Sequence, residues 1–474
     1  MNDQPDIIWI YCDELRTDAL GCYGHPRLQL HTPNLDRLAS SGVQFTNNFC
    51  NAPVCVASRC STLTGLYPED TGVYNNEGAW PNFRLPHSLQ TFPRVLAQNG
   101  YATANFGKIH VSPELRPGAN PEQDIFQFHD GAGGNMGIWE HLGEDAVQMI
   151  RAPNGGMNGG IFPDGEPYPP DQVVENSLRW MAENDTPFFA RISILQPHTP
   201  VLPPAEYVRL FDGQDPGLPG PLPDTLSDFE KRVAEVYDVA SMPPEKLRAA
   251  RLHYYAQVAW IDAQVGRVMD FLKRTGRLEK TVVLFGADHG NPLGDTGAFE
   301  KLTYTPTVHR VPLLISWPGA IPAGQVREDI CDSLDIGRTC FAMAGIDTPS
   351  QFKGRDLFSD SPPEAIYSTI GYGQPFSKMA PNGGRGDWFG GRGWPRRSCI
   401  RTAQYRLDMN VLIDGEKPAP EDQDVFLADV VNDPVEFTNL AQDPQYANVV
   451  CELSAQLSKH TENSVEIAPE YLQR

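Results

Sequence analysis

Apolar positions in this chain come in two textures, short unbroken runs and long stripes at helical spacing. The run Ile7-Ile8-Trp9-Ile10-Tyr11 ends at Cys12-Asp13-Glu14, and Thr281-Val282-Val283-Leu284-Phe285 repeats the design before Gly286-Ala287-Asp288-His289-Gly290. Runs without polar alternation predict strands covered on both faces. Residues 101–106 and 188–195 read the same way, each emptying into a loop. The stripes predict helices. Residues 32–39 suit a capped helix with Pro33 in its first turn and Gly42 just beyond it. Between residues 244 and 275, Leu247, Tyr254, Val258, Ile261, Val265, Val268 and Leu272 fall on one stripe, a long helix feeding the strand at 281.

Strands alternating with amphipathic helices predict an α/β sandwich. Open sheets of that class carry their sites beyond the carboxyl ends of the strands, so Asp13-Glu14 and Asp288-His289 are expected to meet at one sheet edge. Residues 203–225, rich in proline and glycine, suggest a surface excursion. After Gly354-Arg355-Asp356-Leu357 the runs shorten, and those at 365–370 and 423–428 predict a small sheet followed by a terminal helix near 449–457. The expected division is a large unit over 1–357 and a small C-terminal α+β unit, built on an antiparallel sheet, over 358–474. No internal repeat is present.

At 474 residues the chain is too long for one simple core, in keeping with that division. Its net charge of −22 argues against nucleic acid, anionic membrane and long polyanions as partners, while leaving room for a local basic pocket. No apolar run reaches membrane-spanning length, and no leader pattern precedes the first strand. Nine cysteines, an odd number without CxxC spacing, point to reduced thiols and a cytoplasmic location.

The segment Cys55-Val56-Ala57-Ser58-Arg59-Cys60-Ser61-Thr62-Leu63-Thr64-Gly65 carries the chemistry. Arg59 lies one helical turn after Cys55, Ser58 and Ser61 are small hydroxylic residues, and Gly65 can close the helix. A helix start at Cys55 would offer unpaired N–H groups and a positive dipole end to an anion.

This string resembles the signature of the sulfatases, and the likeness extends over nearly the whole chain. It implies an alkaline-phosphatase-like α/β sandwich with a smaller C-terminal antiparallel-sheet domain, and cleavage of a small-molecule sulfate ester. Cys55 would be oxidised by formylglycine-generating machinery to formylglycine, whose hydrate is the nucleophile. Asp13, Glu14, Asp288 and His289, with residue 55, would hold one divalent cation. Oxygen-rich ligation suits calcium or magnesium, a histidine also admits manganese or zinc, and the resemblance implies calcium. Glu14 stands where the family has a second aspartate.

Gly107-Lys108-Ile109-His110 is similar to the family's Gly-Lys-x-His element, and Gln196-Pro197-His198-Thr199-Pro200 and Lys301 resemble further elements. By that likeness Arg59, Lys108 and Lys301 stabilise charge on the sulfate, His198 protonates the leaving oxygen and His110 acts as the later base. Asn76 is a candidate for substrate binding, with Asn75 able to serve instead. His253 and His309 are further candidates to line a pocket, and the other histidines read as surface or core. The Gly/Arg/Trp-rich residues 382–397 could form a substrate lid or a contact in a homo-oligomer. Ala57 departs from the family's usual proline. Two rival readings stand beside this one, a phosphonate or phosphate ester hydrolase of the same superfamily and a non-catalytic anion-binding homologue.

Overall fold

The computed structural model describes residues 4–76, 89–118, 124–153, 158–299, 301–374 and 394–465. Its main sheet has eight strands: β1 (Asp6–Asp13), β2 (Val43–Phe45), β3 (Ala102–Gly107), β4 (Phe128–Asp130), β5 (Phe188–Pro197), β6 (Thr281–Ala287), β7 (Leu313–Ser316) and β8 (Gln325–Arg327). Their order across the sheet is β8-β2-β7-β6-β1-β5-β3-β4, and β7 alone runs against the others. A second sheet holds β9 (Ile366–Ile370), β10 (Arg396–Arg401), β11 (Tyr405–Leu412) and β12 (Phe426–Asp429) in antiparallel sequence order. The α/β core with a small C-terminal antiparallel sheet is therefore as expected.

The unbroken apolar runs lie where helices cover both faces. Ile7 to Cys12 are sealed from solvent, and β1 pairs in parallel with β5 on one side and β6 on the other. β3 extends the parallel group beyond β5. The carboxyl ends of β6, β1, β5 and β3 thus stand in a row, followed by Asp288, Asp13-Glu14, His198 and Lys108. This is the meeting of acidic pairs that the strand pattern predicted.

Helix Pro244–Arg274 buries all seven stripe residues. Helix Pro33–Ser40 forms as expected, but Thr32 does not cap it with its side chain. Asp262 of the long helix accepts from Asn34 N at 2.9 Å and Leu35 N at 2.8 Å instead. The cap comes from across the fold, where local sequence has no view of it. Within 203–225 a short helix, Ala205–Arg209, interrupts the irregular path.

Residues 382–393 of the Gly/Arg/Trp-rich run lie outside the described residues. The rest is not loop: Trp394 is buried, and Arg396 and Arg397 open β10. His309 is a structural tie. Its Nε2 lies 2.6 Å from Ser368 Oγ on β9 and 3.0 Å from the Cys50 carbonyl, tying the segment before the Cys55 helix to the small sheet. Among the described residues no helix is long and apolar enough to cross a membrane.

Candidate active site

Cys55 is the first residue of helix Cys55–Thr64, every residue of which is buried, and Gly65 ends it in the left-handed conformation at φ 66°. Val54 precedes the helix and offers no polar side chain, so the cap is supplied from outside. Asn76 Oδ1 accepts from Val56 N at 3.0 Å. Asn76 therefore caps the cysteine helix with its side-chain oxygen.

Two groups of side chains enclose the Cys55 sulfur. On one side are Asp13, Asp288 and His289, with His289 Nε2 at 3.2 Å and Asp13 Oδ1 at 3.6 Å from Sγ. One ligand atom from each of these four residues fits within a 4.8 Å span, all of them buried. His289 Nδ1 faces the Gly290 carbonyl at 2.9 Å, so Nδ1–H donates there and Nε2 is the nitrogen turned to the cluster. On the other side Lys301 Nζ lies 3.5 Å from Sγ, 2.6 Å from Glu14 Oε1 and 3.3 Å from His198 Nε2. Lys108 Nζ meets Asp13 Oδ2 at 2.5 Å.

Electrostatics follow from this enclosure. Burial raises the Cys55 thiol, yet Lys301, Lys108 and His289 outweigh it and hold the group well below its ordinary value. Burial likewise opposes ionisation of Asp13, but Lys108, His198 and Arg59 hold it in its charged form. For Asp288 burial and the adjacent Asp13 prevail, lifting it to about 6. Burial pulls His198 down and Glu14 more than restores it, so the group sits above its usual value. His110 is lowered by burial and by Lys108.

Arg59 reaches into the acid cluster with all three of its guanidinium nitrogens. Its Nε donates to Asp288 at 2.8 Å, one terminal nitrogen to Asp13 at 2.9 Å and the other to Ser193 at 3.1 Å. The guanidinium fork therefore clamps the two acids together, above the ring of Tyr11. Both carboxylate oxygens of Glu14 are also engaged, one by Lys301 and the other by Asn291 Nδ2 at 3.0 Å. Glu14 thus pairs with Lys301, and with Asp13, Cys55 and His198 it also forms a second close, buried group of potential ligand atoms.

A family model described as Sulfatase matches residues 5–346. The chain belongs to the sulfatase family. An arylsulfatase of Clostridium perfringens is 30% identical over 390 residues, covering 75% of this chain and 78% of that protein. An ulvan-active sulfatase of Formosa agariphila is 29% identical over 467 residues, 96% of this chain and 81% of its own. The fold is similar to the phosphonate monoester hydrolase of Agrobacterium radiobacter, with a TM-score of 0.74 at 22% identity over 97% of this chain and 96% of that one. It is also similar to a protein solved with its substrate D-glucosamine-2-N,6-O-disulfate, with a TM-score of 0.71 at 21% identity over 97% and 98% of the two chains. This sulfatase is a sulfuric ester hydrolase of alkaline-phosphatase-like fold.

Sequence reasoning missed several residues that shape the sulfatase site. Asn291 holds Glu14, and Ser193 holds Arg59. Tyr254 donates from its hydroxyl to the Glu14 carbonyl at 2.5 Å, fixing that residue in the left-handed region at φ 62°. Asn291 follows Asp288 closely enough to have been suspected. Ser193 and Tyr254 carried no signal beyond their place on a strand and a helix. His253 is buried on the long helix, and burial lowers it to about 4, as for a neutral core imidazole.

Proposed function

We propose that this sulfatase hydrolyses small sulfate monoesters with a nucleophile formed from Cys55 and a divalent cation, releasing inorganic sulfate and an alcohol or phenol. The placement of the Cys55 sulfur carries the reading, between an acid and imidazole cluster on one side and two lysines with two histidines on the other. The sulfur stands where the oxygens of a formylglycine hydrate would lie. Asp13, Asp288 and His289 would hold the cation together with that residue. Two carboxylates and an imidazole nitrogen, buried and mutually close, are a fitting donor set, and their oxygens favour calcium over zinc.

When bound, the cation would polarise the sulfate, and formylglycine would supply a geminal hydroxyl pair for attack and release. The remaining roles belong to the chain's own groups. Arg59 fixes the spacing of the acids. Lys108 and Lys301 set positive charge where the sulfuryl oxygens gain negative charge, before the reaction starts. His198 gives its Nδ1–H to the Thr199 carbonyl at 2.6 Å, and Glu14 raises its pKa, which favours the protonated ring that a leaving oxygen needs. His110, lowered toward neutrality, can accept a proton in the later half of the cycle. All nine cysteines are free, which favours a reducing compartment. The strongly acidic composition favours small substrates over sulfated polymers.

The second reading, phosphonate or phosphate ester hydrolysis, is favoured by the fold likeness just given. It is favoured too by a multifunctional alkaline phosphatase superfamily protein of Trinickia caryophylli, 26% identical over 94% of this chain. The intact Gly107-Lys108-Ile109-His110 element favours sulfate. Two measurements test the proposal. Mass analysis of the residue-55 peptide from the native host should show the mass of formylglycine, and an unaltered thiol throughout would refute it. Turnover of sulfate and phosphate monoesters sharing one leaving group should favour sulfate, and a clear phosphate preference would instead establish the second reading.

A further inference from the structure

Arg191 lies in the middle of β5, its side chain on the same face as that of Ser193 and 0% exposed. Among the described residues no carboxylate pairs with it. Its guanidinium sits over the rings of Trp9 and Phe126, 5.7 and 5.2 Å from their centroids. Burial and the neighbouring Arg59 pull it down to about 9, whereas Arg59, paired with acids, is raised. One of its terminal nitrogens is buried without a partner. A cation held in this way costs the fold stability, and an apolar side chain of similar volume would fill the space without that cost. Packing alone does not account for the residue.

Its remaining donors point to the turn that carries Lys108. Nε donates to Asn105 Oδ1 at 2.6 Å, and the other terminal nitrogen donates to the Lys108 carbonyl at 3.3 Å. Asn105 in turn gives its Nδ2–H to the Gly107 carbonyl at 3.3 Å. Two residues along β5, the Ser193 carbonyl accepts from Lys108 N at 2.9 Å. Both carbonyls and one N–H of the Gly107-Lys108 turn are thus held by β5 and Asn105. The turn has little slack, since Gly107 stands at φ 82° and a Cβ there would lie 2.4 Å from the Ser193 carbonyl oxygen.

We infer that Arg191 is a positioning residue for Lys108. It does not touch the substrate. By bonding the Lys108 carbonyl directly and the Gly107 carbonyl through Asn105, it fixes the turn from which the Lys108 ammonium reaches Asp13 and the sulfuryl oxygens. A guanidinium suits the task, because its fork serves two acceptors at once and its charge strengthens both bonds. The inference rests on the role proposed above for Lys108, whose displacement by about 1 Å would cost up to about 10²-fold in rate.

Arg191→Lys keeps a cation between Trp9 and Phe126 and loses the fork, while Asn105→Ala removes the link to Gly107, so either variant carries the test if the other fails to fold. Each is made in the parent and in the Lys108→Met background. With 4-nitrophenyl sulfate, kcat should fall about 10- to 100-fold in Arg191→Lys, and by less in Asn105→Ala, in the parent background. In the Lys108→Met background the further loss should stay under about twofold, because there is no ammonium left to place. A loss of equal size in both backgrounds overturns the inference, since a merely structural role would add to the missing charge. Amide hydrogen exchange reads the turn without turnover. Residues 107–110 should exchange at least about tenfold faster in Arg191→Lys, the loss of a charge-assisted bond, and less steeply so in Asn105→Ala, with residues 102–106 of β3 unchanged. Unaltered exchange at 107–110 also overturns the inference. A parent protein that turns over no sulfate ester, while its variants show the local exchange change, refutes the proposed reaction and leaves the hold of Arg191 on Lys108 standing.

Discussion

Lys301 shows how closely the site's charges are balanced. Its ammonium is fully enclosed and serves Glu14, His198 and the Cys55 sulfur at once. Lys301→Met would leave the buried Glu14 carboxylate to His198 and the neutral Asn291 amide, and would take a fixed charge from the sulfuryl oxygens. The expected result is a fall in kcat of roughly 10²- to 10⁴-fold with the fold retained, read by steady-state kinetics beside circular dichroism. Asn76→Ala separates a cap from a substrate contact. It should lower stability by about 1 kcal/mol in urea unfolding and leave KM near its parent value. At this scale the sequence disclosed identities more readily than directions. Cys55, Asp13, Asp288, His289, Lys108, His198 and Lys301 were readable from motif and strand ends, and they converge. The clamp formed by Arg59, the capping by Asn76 and the pairing of Glu14 with Lys301 were not, since each depends on a partner brought near by the fold.

Among the elements, the contact between Asp262 and the first helix is the most exposed to test. Asp262 accepts from two backbone N–H groups of helix Pro33–Ser40, so Asp262→Ala should cost about 1–2 kcal/mol by thermal or urea unfolding. A pH effect accompanies it. Burial, against the pull of these hydrogen bonds, lifts Asp262 from an ordinary 3.8 to about 6. Between those values the folded protein holds a proton that the unfolded chain has lost, so this group's contribution to stability falls as pH rises through that window. Asp262→Asn should flatten that part of the pH profile in urea titrations between pH 3.5 and 7. Element existence was legible because the hydrophobic runs are long and of uniform period, as with β1, β6 and the long helix. Partnership was less so. The neighbours of β1 in the sheet are β5 and β6, and nothing local to residues 6–13 names them.

Across the whole molecule, buried charges tie the small sheet to the large unit. Arg406 bonds Glu230 at 3.0 Å, Asp408 at 2.7 Å and Glu436 at 3.2 Å, with all four side chains nearly free of solvent contact. Arg406→Met would leave Glu230 buried without its bonded cation, while Asp408 keeps Arg397 and Glu436 keeps Arg401, and should cost about 3–5 kcal/mol in global unfolding. The loss should exceed that of any surface ion pair, such as Arg209 with Asp164, removed in the same assay. Chain order adds a matter of timing. Cys55 leaves the ribosome more than two hundred residues before Asp288 and Lys301, which belong to the strand and loop that close around it. At about 5–20 residues per second the thiol waits on the order of ten to fifty seconds for those walls to be synthesised. In the finished fold it is 0% exposed. An enzyme that alters this residue therefore meets it most openly on the growing chain, before those walls have been made and packed.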